Sequence, residues 1–246
     1  MSEPDPELRQ SFIKFKLPGD VPELKLETDK TAVLVIDMQR MNAHRDGKYG
    51  RWAKDQGLAE SLNYYFDRLE QVTVPGIAGL VRGARDLGIE VVYTCVAALT
   101  QDGREMGWRY KAWNMTDNVA SHEAQILPEL APLPNDLVVV KTCTSVFLGS
   151  HLDRYLRNMG IRYLIACGVA TNGCVESAVR DASDLEYSIV LAEDSCATIS
   201  QQDHELSVRA MHPLYAQVMS TAEAIEKMRR DCGRSGKALT GQGTTL

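Results

Sequence analysis

Three residues with compatible chemistry stand far apart in the chain, each close to the end of an apolar run. Asp37 and Lys141 close two of these runs, and Cys174 follows a third. Open α/β sheets collect their functional residues at the carboxyl ends of the strands. If the three runs are parallel strands of one sheet, we expect the carboxylate, the ammonium and the thiol to converge in space.

A cysteine, a lysine and an aspartate can together carry out covalent acyl transfer. The thiolate is the attacking form of cysteine, and its pKa falls near a cation or at the start of a helix. Cys174 is predicted at a helix start, and Lys141 would supply the cation. Asp37 would take the thiol proton and return it to a leaving amine. The backbone amides of Ala170 and Cys174, on a tight turn into the helix, would form an oxyanion hole.

Each of the three residues also has an ordinary structural interpretation. A lone cysteine is usually an inert residue of the core. An aspartate after a strand often only forms a turn, and a lysine in that place is usually solvated. The residues alone leave both interpretations open, and their coincidence at three strand ends favours the catalytic one.

Strands and helices alternate around these residues. Strands are predicted over 32–36, 90–94, 137–141, 163–167 and 188–192, with a weaker one over 216–219. Helices are predicted over 75–87, 148–159, 174–182, 203–212 and 221–230. Strands that are apolar throughout indicate a parallel sheet with helices on both faces. The predicted fold class is therefore α/β: a Rossmann-like, three-layer α/β/α sandwich with a mostly parallel sheet of about six strands.

Two internal segments and both ends of the chain lack this alternation. Residues 38–65 are polar and glycine-containing, which predicts a long irregular excursion, and residues 95–130 show no clean period. The first 30 residues are polar and contain four prolines, so 1–30 are predicted to form an N-terminal arm. A single domain is predicted over 31–230, followed by a flexible, glycine-rich tail over 231–246.

Composition excludes several classes of function. The chain of 246 residues has a net charge of −6, whereas nucleic-acid-binding proteins and polybasic membrane surfaces carry a basic excess. No apolar run approaches the roughly 18 residues that a membrane span needs. The first ten residues do not resemble a secretory signal. Six cysteines without a CxxC pair indicate free thiols, so a cytoplasmic location is expected.

Three motifs closely resemble the isochorismatase-like cysteine hydrolases. They are TAVLVIDMQ (31–39), VVVKTCTSVF (138–147) and GVATNGCVESAVRDASDLEYSIVLAEDSCAT (168–198), and they occur in the family's order. The resemblance implies that Asp37, Lys141 and Cys174 form the catalytic triad. It also implies a cis peptide bond between Val169 and Ala170, which would aim the Ala170 amide at the oxyanion.

The resemblance also indicates a subfamily. A cysteine at position 174 implies acyl transfer, and hence an amidase, rather than the vinyl-ether cleavage of isochorismatases proper. Nicotinamidases carry an Asp/His metal cluster after the first strand, but residues 38–60 contain only His44. No metal and no cofactor are therefore expected. The stretch over 91–114 looks most like ureidoacrylate amidohydrolases, N-carbamoylsarcosine amidases and biuret hydrolases.

Candidate substrate contacts lie near these motifs. They are Gln39, Trp108, Arg109, Tyr110, Trp113, Phe147, Thr171 and Asn172. Arg104, Arg109 and Lys111 could pair with a substrate carboxylate, or they could be solvated surface charges. The tryptophans and the tyrosine could form a wall of the pocket or part of a subunit interface.

The expected function is a metal-independent cysteine amidohydrolase that releases ammonia from a small amide or ureido (N-carbamoyl) compound. The resemblance implies a homodimer or a homotetramer. The alternatives are a nicotinamidase-like amidase and a non-catalytic binding protein on the same fold. A dinucleotide-binding protein is excluded, because DMQRMN follows the first strand where a GxGxxG motif would be needed.

Overall fold

The computed structural model describes residues 24–233. The predicted N-terminal arm is therefore described only from Leu24 onward, and residues 1–23 and 234–246 of the predicted arm and tail lie outside the described residues. Residues 24–30 pack onto the end of the chain. The Leu26 amide donates a hydrogen bond of 3.1 Å to Asp231, and the Lys227 ammonium donates to the Leu24 carbonyl oxygen.

A parallel sheet of six strands forms the centre of the described residues. The strands are β1 (Thr31–Ile36), β2 (Glu90–Val96), β3 (Leu137–Lys141), β4 (Tyr163–Val169), β5 (Ser188–Ala197) and β6 (Gln217–Met219). Their order across the sheet is β3-β2-β1-β4-β5-β6, and every neighbouring pair is parallel. The predicted three-layer α/β fold is confirmed, with a sheet that is parallel throughout.

Ten α-helices of the described residues cover the sheet. They are α1 (Arg40–Ala43), α2 (Lys48–Asp55), α3 (Asn63–Arg68), α4 (Val74–Asp86), α5 (Trp108–Ala112), α6 (Val146–Gly149), α7 (Leu152–Asn158), α8 (Glu176–Asp184), α9 (Gln201–Met211) and α10 (Thr221–Cys232). Short π-helical turns over Leu69–Thr73 and Thr171–Val175 precede α4 and α8. Within residues 24–233, no helix is long and apolar enough to span a bilayer.

Two hydrophobic cores separate the sheet from its helices. Successive side chains of a strand point to opposite faces, so Val33 and Val35 of β1 pack into one core and Leu34 and Ile36 into the other. Helices α4 and α10 cover the first face, and α7, α8 and α9 cover the second. Burial on both faces explains why β1 is apolar throughout.

Several predicted boundaries were wrong. Residues 38–65, predicted as a long polar excursion for which no helix was predicted, contain α1, α2 and the first half of α3. Strand β5 continues through Glu193 and Asp194 to Ala197, where the sequence predicted an end at Ala192. The helix predicted over 148–159 is divided into α6 and α7, because Ser150 at the break is extended and accepts a hydrogen bond from the Leu152 amide. The predicted helix at Cys174 begins as a π-helical turn.

The sheet order reverses direction between β1 and β4, and the chain leaves these two strands toward opposite edges. Open α/β sheets have their binding crevice at such a switch point. Gly168 on β4 packs against the end of β1 so closely that a Cβ atom would lie 2.1 Å from the Ile36 carbonyl oxygen. Its φ of +123° is also accessible mainly to glycine. The ends of the two strands are therefore in direct backbone contact.

Candidate active site

The structure brings Asp37, Lys141 and Cys174 together at the carboxyl edge of the sheet. Lys141 Nζ lies 2.8 Å from Asp37 Oδ2 and 3.2 Å from Cys174 Sγ. The aspartate and the lysine are fully buried. Asp37 directly follows β1, Lys141 ends β3, and Cys174 lies in the turn between β4 and α8. The convergence that the strand ends predicted is therefore present in the fold.

Asp37 is held by the neighbouring strand. Its backbone amide donates a hydrogen bond of 3.1 Å to the Thr94 carbonyl oxygen on β2, and its Oδ1 accepts one of 2.7 Å from the Thr94 hydroxyl. Asp37 has a positive φ of 52°, a region in which aspartate and asparagine are several-fold enriched among non-glycine residues. One carboxylate oxygen is thus fixed, and the other faces Lys141.

The Lys141 ammonium has three hydrogens to donate, and three acceptors surround it. They are the carbonyl oxygens of Cys143 at 3.1 Å and Thr144 at 2.8 Å, and the sulfur of Cys174. Asp37 Oδ2 lies 2.8 Å from the same ammonium, so the lysine cation pairs with the carboxylate and also contacts the thiol.

The electrostatic setting of Cys174 differs from the one that the sequence predicted. Burial and, next, the charge of Asp37 raise the pKa of the Cys174 thiol to about 12, because together they outweigh the attraction of Lys141. Burial opposes the charged form of Lys141, but Asp37 and Cys174 overcome this and raise the pKa of the ammonium. The expected low pKa of Cys174 is therefore corrected. At neutral pH the resting state is a thiol beside a lysine cation.

The turn that carries Cys174 begins at the Val169–Ala170 peptide bond, which is cis. The Ala170 carbonyl oxygen accepts hydrogen bonds from the amides of Gly173 at 2.9 Å and Val175 at 3.2 Å. Gly173 has a non-helical backbone with φ −128° and ψ −109°. These features interrupt the regular helix and place Ala170, Gly173 and Cys174 together in the lining of one cavity.

Helix α9 supports this turn from behind. His204 Nδ1 lies 2.9 Å from the Thr171 hydroxyl oxygen, and its Nε2 lies 3.2 Å from Glu193 Oε2. The Ser207 hydroxyl donates a 3.2 Å hydrogen bond to the Thr171 carbonyl oxygen. Burial lowers the pKa of His204, so the imidazole is neutral at pH 7. No local pattern of the sequence indicated these supports, because they lie about thirty residues beyond the turn.

A cavity of about 1040 Å³ opens above the three residues. Of the predicted substrate contacts, Arg109, Tyr110, Trp113 and Asn172 line it. The Tyr110 hydroxyl lies 3.9 Å from Cys174 Sγ. The sequence missed further lining residues. Those on or next to α1, α2 and α3 are Met41, Asn42, Lys48, Tyr49, Trp52 and Tyr65, and those from later parts of the chain include Met115, Ser177, Thr198 and Ile199. The spacing of the aromatic residues over 49–65 could have indicated Tyr49, Trp52 and Tyr65, but the polar composition of that segment obscured this pattern.

The other four predicted contacts lie outside the cavity lining. Gln39 is fully buried and its amide group bonds to main-chain groups. Phe147 packs in a hydrophobic core, and Thr171 is buried against His204. Trp108 is 78% exposed on the outer side of α5 and does not line the cavity. The structure therefore places these four residues outside the cavity lining, in buried or peripheral positions.

Replacing Lys141 with methionine is expected to lower the free energy of unfolding by about 3–5 kcal/mol, since it leaves the buried Asp37 charge without a partner. The double variant Asp37→Asn/Lys141→Met should regain at least half of this loss. Urea denaturation measures both values. Lys54→Met, which breaks an exposed ion pair with Asp46, is the control and should leave stability almost unchanged. If the free energy of unfolding falls equally in the single and the double variant, Asp37 and Lys141 are not energetically coupled.

The chain is similar to known proteins over most of its length. The ureidoacrylate amidohydrolase RutB of Variovorax paradoxus is 33% identical over 198 residues, which cover 73% of this chain and 73% of that protein. The protein of the same name from Azorhizobium caulinodans is 33% identical over 196 residues, covering 73% of this chain and 81% of that protein.

Solved structures share the fold at lower identity. A cysteine hydrolase from Pseudomonas syringae has a TM-score of 0.72 at 23% identity, covering 87% of this chain and all of that chain. The N-carbamoylsarcosine amidase from Thermoplasma acidophilum has a TM-score of 0.59 at 23% identity, covering 78% and 96%. The family model of the isochorismatase domain matches residues 31–223, from the start of β1 into α10. The chain is therefore a member of the isochorismatase family of hydrolases.

Proposed function

We propose that the protein is a cysteine amidohydrolase that cleaves the terminal amide of a ureido or N-carbamoyl compound and releases ammonia. The observation that carries this proposal is the arrangement at Cys174. Its thiol lies 3.2 Å from a lysine cation, and the same cation lies 2.8 Å from the buried carboxylate of Asp37. Nucleophile, charge stabiliser and proton acceptor are thus adjacent, as covalent acyl transfer requires.

The first half of the reaction forms a thiocarbamate. As Cys174 Sγ attacks the carbonyl carbon, its proton passes to Asp37 Oδ2, and the carbonyl oxygen becomes an oxyanion. The backbone amides of Ala170 and Cys174 stabilise this oxyanion. The tetrahedral intermediate then breaks its bond to the terminal nitrogen, which takes the proton from Asp37 and leaves as ammonia. Because the pKa of the thiol is raised to about 12, attack and proton transfer are coupled rather than preceded by a free thiolate.

The second half returns the enzyme to its starting state. A water molecule attacks the thiocarbamate carbon through its oxygen, and Asp37 accepts a proton from this water as the new bond forms. The bond to sulfur breaks, and Cys174 recovers its proton from Asp37. The product is a carbamic acid, which decomposes to carbon dioxide and an amine. Lys141 remains charged throughout and stabilises whichever of its two neighbours carries the negative charge.

Two observations support a ureido acid over a simple amide. The relatives that cover most of this chain are named ureidoacrylate amidohydrolases. Among the cavity residues, Lys48 is bound to Asp117 at 2.6 Å, whereas Arg109 forms no ion pair with a described residue. Arg109 is therefore the candidate partner for a substrate carboxylate. Arg104, which pairs with Asp102, and Lys111, which donates to a backbone carbonyl, do not line the cavity.

The test is a panel assay of ammonia release from a ureido acid, biuret, nicotinamide and a simple aliphatic amide. We expect the ureido acid to have the highest kcat/KM. Preference for nicotinamide would indicate a nicotinamidase-like amidase instead. Release from none of the four, together with specific binding of one, would indicate a binding protein on the same fold.

Exhaustive treatment with EDTA is expected to leave this activity unchanged. Within residues 24–233, no group of three or more His, Cys, Asp or Glu side chains is placed to hold a metal ion. The mechanism also assigns charge stabilisation to Lys141 and the backbone amides. Ammonia release is measured before and after dialysis against the chelator. A loss that zinc or manganese restores would contradict the proposed mechanism.

A further inference from the structure

The catalytic cavity is larger than a small ureido acid requires. Its volume of about 1040 Å³ reaches the upper end of the roughly 300–1,000 Å³ of sites for drug-sized ligands. The reactive residues occupy only its floor. The remaining lining must therefore contact a different part of the substrate.

Two series of aromatic side chains lead away from the floor. The first runs from Tyr65 on α3 to Tyr49 and Trp52 on α2. The ring centroids of Tyr65 and Tyr49 are 6.2 Å apart, and those of Tyr49 and Trp52 are 5.7 Å apart in a stacked pair. The second runs from Tyr110 on α5 to Trp113, whose rings meet edge to face at 6.0 Å. All five rings line the cavity.

In both series the exposed fraction of the side chain rises with distance from the catalytic residues. Tyr65 and Tyr110 are buried beside the catalytic residues, whereas Trp52 is 47% and Trp113 is 60% exposed. The hydroxyl of Tyr110 approaches Cys174, and that of Tyr65 donates to the Asn42 carbonyl oxygen. The cavity is therefore polar at its floor and aromatic toward its mouth. Exposed apolar side chains that are continuous with a reactive centre mark a ligand-binding surface.

We propose that the substrate is an N-carbamoyl compound with an aromatic tail, whose carbamoyl group lies at the floor and whose ring packs between the two aromatic series. This inference rests on the proposed function and adds the chemical class of the tail. Offset or edge-to-face contacts with Trp52 and Trp113 would hold the ring. The aliphatic ureido acids that the floor accepts would leave this part of the cavity filled with water.

The experiment compares N-carbamoylphenylalanine with N-carbamoylalanine, which differ only by the phenyl ring. We expect kcat/KM to be at least about tenfold higher for the phenyl compound, since even one buried methylene discriminates by about tenfold or more. Trp52→Ala and Trp113→Ala should each lower this ratio by about three- to tenfold. Trp108→Ala is the matched control. It removes a more exposed tryptophan of the same helix as Tyr110, outside the cavity lining, and should leave the ratio unchanged.

Calorimetry with the Cys174→Ala protein measures the affinity for each compound in the absence of turnover. It therefore tests the contribution of the tail to binding independently of catalysis. A Kd at least about tenfold lower for the phenyl compound supports the aromatic tail, and equal values of both Kd and kcat/KM overturn it. Ammonia release from either compound tests the proposed function alone. Binding preference without release by the wild-type protein would refute the hydrolase and retain the aromatic subsite. An equal effect of Trp108→Ala and Trp113→Ala would refute the assignment to this cavity.

Discussion

Replacing Cys174 with alanine is expected to reduce turnover by about 10³-fold or more while the protein remains folded. In the proposed mechanism the sulfur forms the covalent intermediate, and removal of a nucleophile costs several orders of magnitude in rate. Cys174 lines the cavity and packs against the second core as a partly buried neighbour rather than as one of its buried members, so truncation to alanine should disturb the packing little. The measurement is ammonia release at saturating substrate, with circular dichroism and Tm as checks of folding.

The matched control for this variant is Cys232→Ala. Cys232 is a buried cysteine at the end of α10, in the core on the other side of the sheet from α8. Its removal should change stability without a comparable change in turnover. Comparable activity in a folded Cys174→Ala protein would refute the covalent mechanism.

Replacing Asp37 with asparagine is expected to lower turnover by a similar factor and to make Cys174 easier to alkylate. Asparagine keeps the shape and tolerates the positive φ at this position, but it cannot carry the proton from the thiol to the leaving nitrogen. The charge of Asp37 contributes to the raised pKa of Cys174, second to burial. Without that charge, the attraction of Lys141 is unopposed and the pKa of the thiol falls. The midpoint of the iodoacetamide rate against pH should therefore move to lower pH.

Considered by itself, loss of the proton acceptor would be expected to slow alkylation. The structure reverses this expectation because Lys141 contacts both the carboxylate and the sulfur at about 3 Å, so it stabilises the thiolate more strongly when the carboxylate is neutralised. Asp46→Asn, which neutralises an exposed carboxylate, is the control and should leave the midpoint in place. An unchanged midpoint in Asp37→Asn would show that the carboxylate does not act on the thiol.

The sequence predicted the sheet well because its strands are buried on both faces and therefore read as continuous apolar runs. It failed where polar side chains have internal partners. The charged pair Glu193 and Asp194 predicts an end of β5 at Ala192, but Asp194 accepts a hydrogen bond from the Thr221 amide and Glu193 contacts His204, so the strand continues through them. Such partners come from distant parts of the chain, and no local pattern shows them.

The candidate site was predictable in its centre and less so at its walls. Asp37, Lys141 and Cys174 each follow a strand, and the geometry of parallel sheets brings strand ends together. The pKa of Cys174 was predicted in the wrong direction, because the sequence indicates the nearby cation but not the burial that outweighs it. The aromatic residues of α2 and α3 were missed because they lie in a segment whose overall composition is polar.

The backbone contact at Gly168 limits which parts of the site can change during evolution. A side chain there would collide with Ile36, the residue before Asp37, so Asp37 and the turn that carries Cys174 are fixed to one another by a position that admits only glycine. The aromatic residues at the mouth stand on separate helices that do not share this contact. Mutations can therefore alter the range of compounds accepted while the reaction itself stays the same, and new specificities should arise by exchange of side chains in α2 and α5 rather than at the strand ends.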